Sequence, residues 1–369
     1  MACEAVRDLV ETSDFREIVI ADINKEAMEK LASELKDPRV RTVKVNASDV
    51  GQLVDVLKEA DVFINGLPFT FEENVIKAAI QAKRSGVSIN GFPVEVVFKY
   101  DKEAREAGIL IIAGLGATPG ITNALVRHGV KGLDEVEEIH VSFAAWRPVA
   151  FSPALLDTCI FELHPDREVS SDRQYYIDGH YIWAPPFSQA RKVKFPEPIG
   201  EQVVYCMSHP EAYTIPKFIR AKRVYLRGTW PPKVMELFRW LVKYGFLKRE
   251  PIRIKGVEIS PLEFVREYLL QAPEGKELFD LNPDVLHYAL HVEIIGRSGG
   301  MRVRRILTAT HPPWDEWGGE RVYAKFVAIP LSVGAQMLAK GEIEAQGDLP
   351  PEACLPTEKF FEELKKRGF

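Results

Sequence analysis

The sequence predicts an α/β protein: a Rossmann-type, doubly wound parallel sheet, followed by an α+β domain with a mostly antiparallel sheet. Strand-like and helix-like segments alternate up to residue 131, and the short apolar strands end in polar or glycine-containing turns. Because a strand followed by a helix returns to its sheet through a crossover, such strands run parallel. Beyond residue 132, turn-forming pairs separate neighbouring strand patterns, which is typical of hairpins.

The first region can be followed element by element. Residue spacing predicts helices over 2–10, 24–35, 50–57, 72–84 and 94–107, and strands over 18–22, 40–45, 61–65 and 87–89. The turns after these strands begin at Asp22, Asn46, Gly66 and Asn90. Ligands of open α/β sheets bind at the carboxyl ends of the strands, so we expect binding residues in these turns.

Residues 109–123 combine a buried strand, a loop with three glycines and the start of a helix. Thr118 is predicted as the N-cap of that helix, and Pro119 as its first residue. A helix N-terminus beside a glycine loop can receive an anionic or polar ligand group, which makes Thr118 a candidate site residue. The alternative is a tight strand-to-helix turn with no ligand.

Asp22 is the most informative residue of the first region. An acid at the end of the second strand of a dinucleotide fold accepts hydrogen bonds from the ribose hydroxyls. A carboxylate there repels a 2′-phosphate, so we expect NAD rather than NADP as the cofactor. The alternative is a solvated loop acid, or part of the cap of the helix that follows.

The glycine-rich phosphate loop of a dinucleotide fold is expected roughly 20 residues before that acid. Counting back from Asp22 reaches Met1 first, and the earliest glycine in the sequence is Gly51. We therefore expect the first strand and its phosphate loop to be missing from this chain. Either they lie upstream of it, which we favour, or this chain is damaged.

The second region has the pattern of hairpins and interrupting helices. Strands are predicted around Asp178-Gly179 and Lys255-Gly256, and over 135–147, 202–207, 221–227 and 286–310. Helices are predicted over 153–163, 232–244 and 261–270, and Ser260 begins a capping box. These patterns predict a dinucleotide-binding domain over 1–131, a substrate and dimerisation domain over 132–320, and C-terminal helices over 321–369.

Composition excludes several classes of partner. The 369 residues carry 48 Lys and Arg against 53 Asp and Glu, a net charge of −5 that argues against nucleic acid. The four cysteines are scattered, and His287 and His291, which are four residues apart, lie inside a strand pattern that favours a packing role, so we expect neither disulfides nor a metal. Residues 322–338 are interrupted by Lys325 and Pro330, which favours a core helix over a membrane span. A cytoplasmic homodimer is the expectation.

Several short motifs resemble the saccharopine dehydrogenase-like family of oxidoreductases, which includes lysine 6-dehydrogenases. The motifs lie at 20–22, 45–49, 65–68, 114–123, 329–334 and 349–352. The resemblance implies a nicotinamide cofactor, an amino-acid or amine substrate, and cofactor contacts at the strand ends from Asp22, Ile23, Asn46, Ala47, Ser48, Gly66, Leu67, Pro68 and Asn90. The return of the C-terminal helices to the first domain is implied by this resemblance more than by the pattern. Saccharopine-forming members carry an acid where this chain has Thr118 and a tyrosine where it has Phe92. These two differences argue against saccharopine itself as the substrate.

Hydride transfer to a nicotinamide requires a positioned substrate and one proton acceptor. His209, in a loop after a predicted strand, is the candidate acid/base, with a surface histidine as the alternative. Arg147, at the end of an apolar strand, is the candidate for binding a substrate carboxylate, with a surface salt bridge as the alternative.

Two functions follow from these patterns. The first is an NAD-dependent dehydrogenase acting on a CH–NH group of an amino acid. The second is a non-catalytic binding or scaffold protein that kept the fold and lost its nucleotide chemistry, which the missing glycine loop would favour.

Overall fold

The computed structural model describes residues 1–147, 153–272 and 286–369. The chain forms two compact units, which we call unit 1 (residues 1–128 and 324–369) and unit 2 (residues 129–323).

Unit 1 alternates strands with helices, as the sequence predicts. Its strands are β1 Ile18–Asp22, β2 Val40–Lys44, β3 Val62–Asn65, β4 Ser85–Ser88, β5 Leu110–Ile112 and β16 Gly347–Leu349. Its helices are α1 Ala2–Thr12, α2 Lys25–Leu35, α3 Val50–Lys58, α4 Glu72–Ala82, α5 Val94–Val97, α6 Asp101–Glu106, α7 Ile121–Gly129 (through residue 128), the part of α13 (Val322–Ala339) from residue 324, α14 Pro351–Cys354 and α15 Thr357–Lys366.

All strand pairs in unit 1 are parallel, but they form two sheets. One sheet pairs β1 with β2, and the other has the order β16-β5-β4-β3. In the Rossmann order the first strand separates the second from the fourth. Here β1 and β3 correspond to the second and fourth Rossmann strands. Among the described residues no strand lies between them and pairs with both, so the central first strand is missing, as the sequence predicts.

The core of unit 1 fills the space between these strands and their helices. Gly86 on β4 faces the ring of Phe63 on β3, where an added Cβ would lie 2.4 Å from a ring carbon, so the close contact requires glycine. The buried apolar cluster comprises Val45, Leu53, Val54, Leu57, Phe63, Val75, Ile76, Ala78, Ala79, Ala82, Ala104, Ile109 and Ile111.

The predicted start of α7 is wrong. The helix begins at Ile121, and Thr118 lies in the turn before it rather than at the N-cap. The turn is closed by backbone bonds, because Gly116 N–H donates to the Pro119 carbonyl (2.9 Å) and Ile121 N–H donates to the Gly116 carbonyl (2.9 Å). The predicted helix 94–107 is likewise two shorter helices, α5 and α6.

Unit 2 is built on an eight-stranded sheet. Its strands are β6 Glu135–Trp146, β7 Gln174–Ile177, β8 His180–Trp183, β9 Arg191–Lys194, β10 Glu201–Cys206, β11 Ala221–Thr229, β14 His287–Ser298 and β15 Met301–Ala309, with a separate hairpin of β12 Ile252–Ile254 and β13 Val257–Ile259. Its helices are α8 Pro153–Leu163, α9 Glu211–Phe218, α10 Pro232–Lys243, α11 Pro261–Gln271 and α12 Trp314–Trp317.

The predicted antiparallel character of this sheet is confirmed, apart from one pair. β6 pairs antiparallel with β14 and parallel with β11, so the sheet is mixed. The hairpins predicted at 178–179 and 255–256 are present, and the Ser260 hydroxyl accepts from Glu263 N–H (3.0 Å) at the start of α11. Ser152, before α8, lies outside the described residues.

One helical stretch, Gly319–Ala339, is long and apolar enough to cross a membrane by length and composition. Its most apolar window is 72% buried within the protein, which is the pattern of a core helix, as the sequence predicts.

Candidate active site

The carboxyl ends of the parallel strands in unit 1 carry the residues predicted to bind the cofactor. Asp22 ends β1 and is half-buried, and its Oδ1 accepts from Asn24 N–H (2.8 Å). Ile23 beside it is 59% exposed. After β2, the Asn46 side chain accepts from Ser48 N–H (3.0 Å), and the half-buried Ala47 lies between them. These residues form polar turns that present backbone and side-chain groups at the sheet edge.

The turn after β3 contains Gly66, Leu67 and Pro68 and is bonded to the end of β4. Leu67 N–H donates to Oδ1 of Asn65 (3.1 Å), and Nδ2 of Asn90 donates to the Leu67 carbonyl (3.0 Å). Asn90 is 7% exposed, so this bond is shielded from water. The two predicted strand-end turns are therefore joined to each other.

A buried carboxyl group lies beneath both turns. Oε2 of Glu72, the first residue of α4, accepts from Nδ2 of Asn65 (2.7 Å), Oγ of Ser88 (2.9 Å) and Nδ2 of Asn90 (2.8 Å). Burial raises the pKa of Glu72 and these three donors lower it, with a net value of about 7. The sequence analysis did not find Glu72, because an acid in the first turn of a helix is ordinarily a solvated partner of the helix dipole.

The residues at this edge fit the adenosine part of a dinucleotide. The Asp22 carboxylate can accept from ribose hydroxyls in addition to its own turn. Gly66 lies against the start of α1, where an added Cβ would be 2.7 Å from the Cβ of Ala2, so only glycine allows this approach. Asp22 is therefore a candidate for holding the adenosine ribose, whereas the contact that requires glycine at position 66 is made with Ala2 of the chain itself.

The glycine loop after β5 joins the same edge. Leu115 N–H donates to the Ser88 carbonyl (2.8 Å), and Ala113 N–H donates to the Leu349 carbonyl (3.0 Å). Oδ1 of Asn123 accepts from Gly120 N–H (2.9 Å). Thr118 is half-buried in this loop and belongs to unit 1.

Unit 2 contains a buried ionic cluster around His209. Nε2 of His209 lies 3.5 Å from Oε1 of Glu162 on α8, and its Nδ1 lies 3.6 Å from Oε2 of Glu211 on α9. The ring also packs on Phe143 of β6, with centroids 5.0 Å apart. His209 is 5% exposed, so it is not the surface histidine that was the alternative to the acid/base role.

The two carboxylates determine the protonation state of His209. Burial alone would lower its pKa, but the hydrogen bonds and negative charges of Glu162 and Glu211 outweigh burial and raise the pKa to about 10. His209 is therefore an imidazolium ion at neutral pH. In this state it can donate a proton or stabilise negative charge, whereas a general base must first lose its proton.

Arg147 lies in the same cluster, directly after β6, and is 4% exposed. Its Nη1 and Nη2 donate to Sγ of Cys159 (3.6 and 3.5 Å), and its Cζ lies 4.5 Å from the ring centroid of Tyr323. Burial lowers the pKa of Arg147, but the groups around it, including Glu162, raise this pKa by more than burial lowers it. The guanidinium therefore stays charged.

The structure thus brings His209 and Arg147 to one buried cluster, through Glu162, and leaves Thr118 in the other unit. Sequence reasoning missed Glu162, Glu211, Cys159 and Tyr323. Glu211 has a weak signal in the sequence, because it follows His209 by two residues. Glu162 has none, because a single acid in an apolar helix does not reveal its partner.

A solved structure shares the fold of this chain. Apo saccharopine dehydrogenase (L-Glu forming) from Saccharomyces cerevisiae matches with a TM-score of 0.69 and 16% identity, covering 99% of this chain and 95% of that one. The chain therefore shares the fold of that structure, with a Rossmann-like parallel sheet and a second, mixed sheet.

The family models identify the group more closely. Residues 1–112 match the saccharopine dehydrogenase NADP binding domain, and residues 116–369 match the saccharopine dehydrogenase C-terminal domain. The chain belongs to the saccharopine dehydrogenase family, which confirms the resemblance found in its motifs. Its relatives include dehydrogenases, so this chain is an oxidoreductase of that family with a nicotinamide-nucleotide domain.

Curated relatives carry three different names. Carboxyaminopropylagmatine dehydrogenase of Synechocystis sp. is 22% identical over 373 residues, 96% of this chain and 90% of that protein. Carboxynorspermidine synthase of Vibrio alginolyticus is 28% identical over 251 residues, 61% of this chain and 57% of that protein. Saccharopine dehydrogenase (NADP+, L-glutamate-forming) of Saccharomyces cerevisiae is 31% identical over 96 residues, 26% of this chain and 21% of that protein.

Proposed function

We propose that this protein is an NAD-dependent dehydrogenase acting on the CH–NH group of a secondary amine that joins a carboxylate-bearing part to a polyamine- or agmatine-like part. The buried cluster of Arg147, Glu162, His209 and Glu211 carries this proposal. A substrate of this class contains both a carboxylate and cationic nitrogen atoms. A site that contains both signs of charge within one buried cluster suits such a substrate.

Each charged group of the cluster has a role in this proposal. Arg147 binds the substrate carboxylate, for which its planar guanidinium is suited. Glu162 and Glu211 attract the cationic amine and keep His209 protonated. The predicted acid/base role of His209 becomes, with a pKa of about 10, that of a proton donor.

The chemistry balances as a two-electron oxidation. The carbon next to nitrogen loses a hydride, and the nitrogen loses a proton to His209 after this residue has released its own proton to solvent, which converts the amine to an imine. Water then adds to the imine and splits it into an amine and a carbonyl compound. The bound nicotinamide accepts the hydride in this direction and supplies it in the reverse direction.

The cofactor preference rests on Asp22. Its carboxylate can accept from two ribose hydroxyls and repels a 2′-phosphate, which favours NAD. The matching family model is named for NADP binding, so the choice between the two cofactors depends on this one side chain. Homodimer formation and a cytoplasmic location stay predictions.

The test is a substrate screen with the purified protein and each cofactor. Formation of reduced nicotinamide is followed by absorbance with lysine, saccharopine, carboxynorspermidine and carboxyaminopropylagmatine. We expect turnover with NAD and at least one carboxylated polyamine-type amine. Norspermidine and aminopropylagmatine, which lack only the carboxylate, are the matched substrates, and we expect them to react at least about 100-fold more slowly.

Two results would contradict the proposal. Cofactor binding without turnover on the whole panel removes the proposed substrate class. Absence of binding to either cofactor favours the second function, a non-catalytic protein that retains the fold.

A further inference from the structure

The described residues of unit 1 contain one carboxyl group that is almost fully buried and yet accepts three side-chain hydrogen bonds on a single oxygen. This group is Glu72, which is 1% exposed. Its three donors come from the ends of two different strands, Asn65 on β3 and both Ser88 and Asn90 at the end of β4. Its other oxygen, Oε1, is buried and accepts no hydrogen bond from the described residues.

The donors are themselves part of the strand-end turns. Asn65 accepts from Leu67 N–H, Ser88 accepts from Asn90 N–H (3.2 Å), and Asn90 donates to the Leu67 carbonyl. The orientation of each amide side chain is fixed by its bond to Glu72. Loss of that acceptor would therefore free both turns together.

We propose that Glu72 is a positioning residue for nucleotide binding, and that its ionised carboxylate holds the turns at 65–68 and 88–90 in the conformation that receives the cofactor. This inference rests on the proposed function, because it assigns a nucleotide to the same sheet edge. A charged carboxylate accepts hydrogen bonds about twice as strong as a neutral acceptor does. The turns are therefore held more firmly when Glu72 has lost its proton.

The charged groups near Glu72 determine which acid loses its proton first. Asp348 on β16 is fully buried, and neither of its carboxyl oxygens accepts a hydrogen bond from the described residues. Burial, and then the nearby Glu72 and Asp101, raise the pKa of Asp348 well above its ordinary value, so Asp348 keeps its proton. Glu72, with three donors, ionises first. Glu73, its neighbour, faces outward to Lys77 and Lys99.

The proposal is tested by measuring the affinity for NAD between pH 6 and 8.5. NAD is used rather than NADP because the additional phosphate of NADP itself titrates near pH 6. In the unaltered protein we expect the affinity to rise roughly three- to tenfold over this range. Glu72→Gln keeps an acceptor oxygen without a charge, and we expect it to bind with the low-pH affinity throughout. Glu73→Gln, an exposed acid on the same turn of α4, is the matched control and should follow the unaltered protein.

Hydrogen exchange provides a readout that does not need the nucleotide. The amides of Leu67 and Asn90 donate to Asn65 and Ser88, so their protection reports the turns directly. At pH 8 we expect the protection factors of these two amides to be roughly three- to tenfold lower in Glu72→Gln than in the unaltered protein. At pH 6 we expect the two proteins to have equal protection factors.

The outcomes separate the two proposals. Equal protection of Leu67 and Asn90 in the unaltered protein and Glu72→Gln at pH 8 overturns the positioning role. Failure of NAD to bind at any pH overturns the proposed function, while the exchange measurement still tests the turns. Asp348→Asn should leave the midpoint of the pH response unchanged, and a shifted midpoint would overturn the assignment of the titration to Glu72.

Discussion

The strand-end turns of unit 1 and the ionic cluster of unit 2 each contain a buried carboxyl group, but the two are stabilised differently. Glu72 in unit 1 is surrounded by neutral donors, two amides and a hydroxyl. Glu162 in unit 2 lies 3.5 Å from a protonated imidazole and also acts on the charge of Arg147. Their exposed fractions are almost the same, 1% and 5%.

The comparison shows how the surroundings of a buried acid determine its use. Neutral donors only partly offset the cost of burying a charge, so the pKa of Glu72 rises to about 7 and its ionisation depends on pH. Opposite charges offset that cost in unit 2, and the raised pKa of His209 keeps the cluster charged through the neutral range. Neutral donors thus suit the positioning of backbone turns, and permanent charges suit the binding of an ionic substrate.

Removing Arg147 should have the largest effect, because it leaves the buried Glu162 without one of the two positive charges that act on it. We expect Arg147→Ala to lower the free energy of unfolding by about 3–5 kcal/mol. Denaturant unfolding measures this change, and the same variant should have no measurable turnover of a carboxylated amine. Arg147→Lys is the matched variant, which should recover stability but bind the substrate carboxylate weakly. Unfolding of Arg147→Ala at the denaturant midpoint of the unaltered protein would contradict the ionic role.

His209 should make stability fall as the pH rises. Its pKa is about 10 in the folded protein and near 6.5 when unfolded, so its contribution is complete below pH 6.5 and is lost as the pH rises to 10. The expected loss over this range is about 3–5 kcal/mol. Glu162→Gln removes the main group that raises this pKa, so its unfolding free energy should depend less on pH. His180→Gln, at an exposed histidine, should keep the dependence of the unaltered protein, and parallel curves for all three would contradict the assignment.

The sequence predicted the fold well because the fold depends on periodic patterns. The parallel strands, the hairpins at 178–179 and 255–256 and the cap at Ser260 all follow from local spacing and turn chemistry. The start of α7 was wrong for a reason that is not local. Bonds between the backbones of Gly116 and residues 119–121 compete with the capping role of Thr118.

The site could be predicted only in part. Arg147 and His209 were found because each ends a strand pattern, and strand ends commonly carry functional groups. Glu72 and Glu162 were missed because their roles depend on partners that are distant in the chain. Glu72 bonds to Asn90, 18 residues away, and Glu162 pairs with His209, 47 residues away in the sequence. Only the folded chain brings these groups together.

Glu72→Gln is a second acid-to-amide change, and it should likewise remove a fall in stability with rising pH. The pKa of Glu72 is about 7 in the folded protein against an ordinary value of 4.5, so stability falls as the pH rises from 4.5 to 7 and is constant above. Glu72→Gln carries no such charge. We expect the unfolding free energy of the variant to gain about 1–3 kcal/mol relative to the unaltered protein between pH 5 and 8. A difference that stays constant over this range would show that Glu72 does not titrate there.

Asp22 provides the third environment for a carboxylate, half-buried at the sheet edge, and the smallest expected effect. Asp22→Asn keeps the Oδ1 that accepts from Asn24 N–H and removes only the charge, so the turn before α2 should persist. Without repulsion of the 2′-phosphate, we expect the ratio of NAD to NADP affinity to fall roughly tenfold, and calorimetric titration measures both affinities. Asp14→Asn, at an exposed acid before β1, is the matched control and should leave the ratio unchanged. If both variants keep the ratio of the unaltered protein, the carboxylate of Asp22 contacts solvent rather than the ribose, and cofactor choice must depend on other residues.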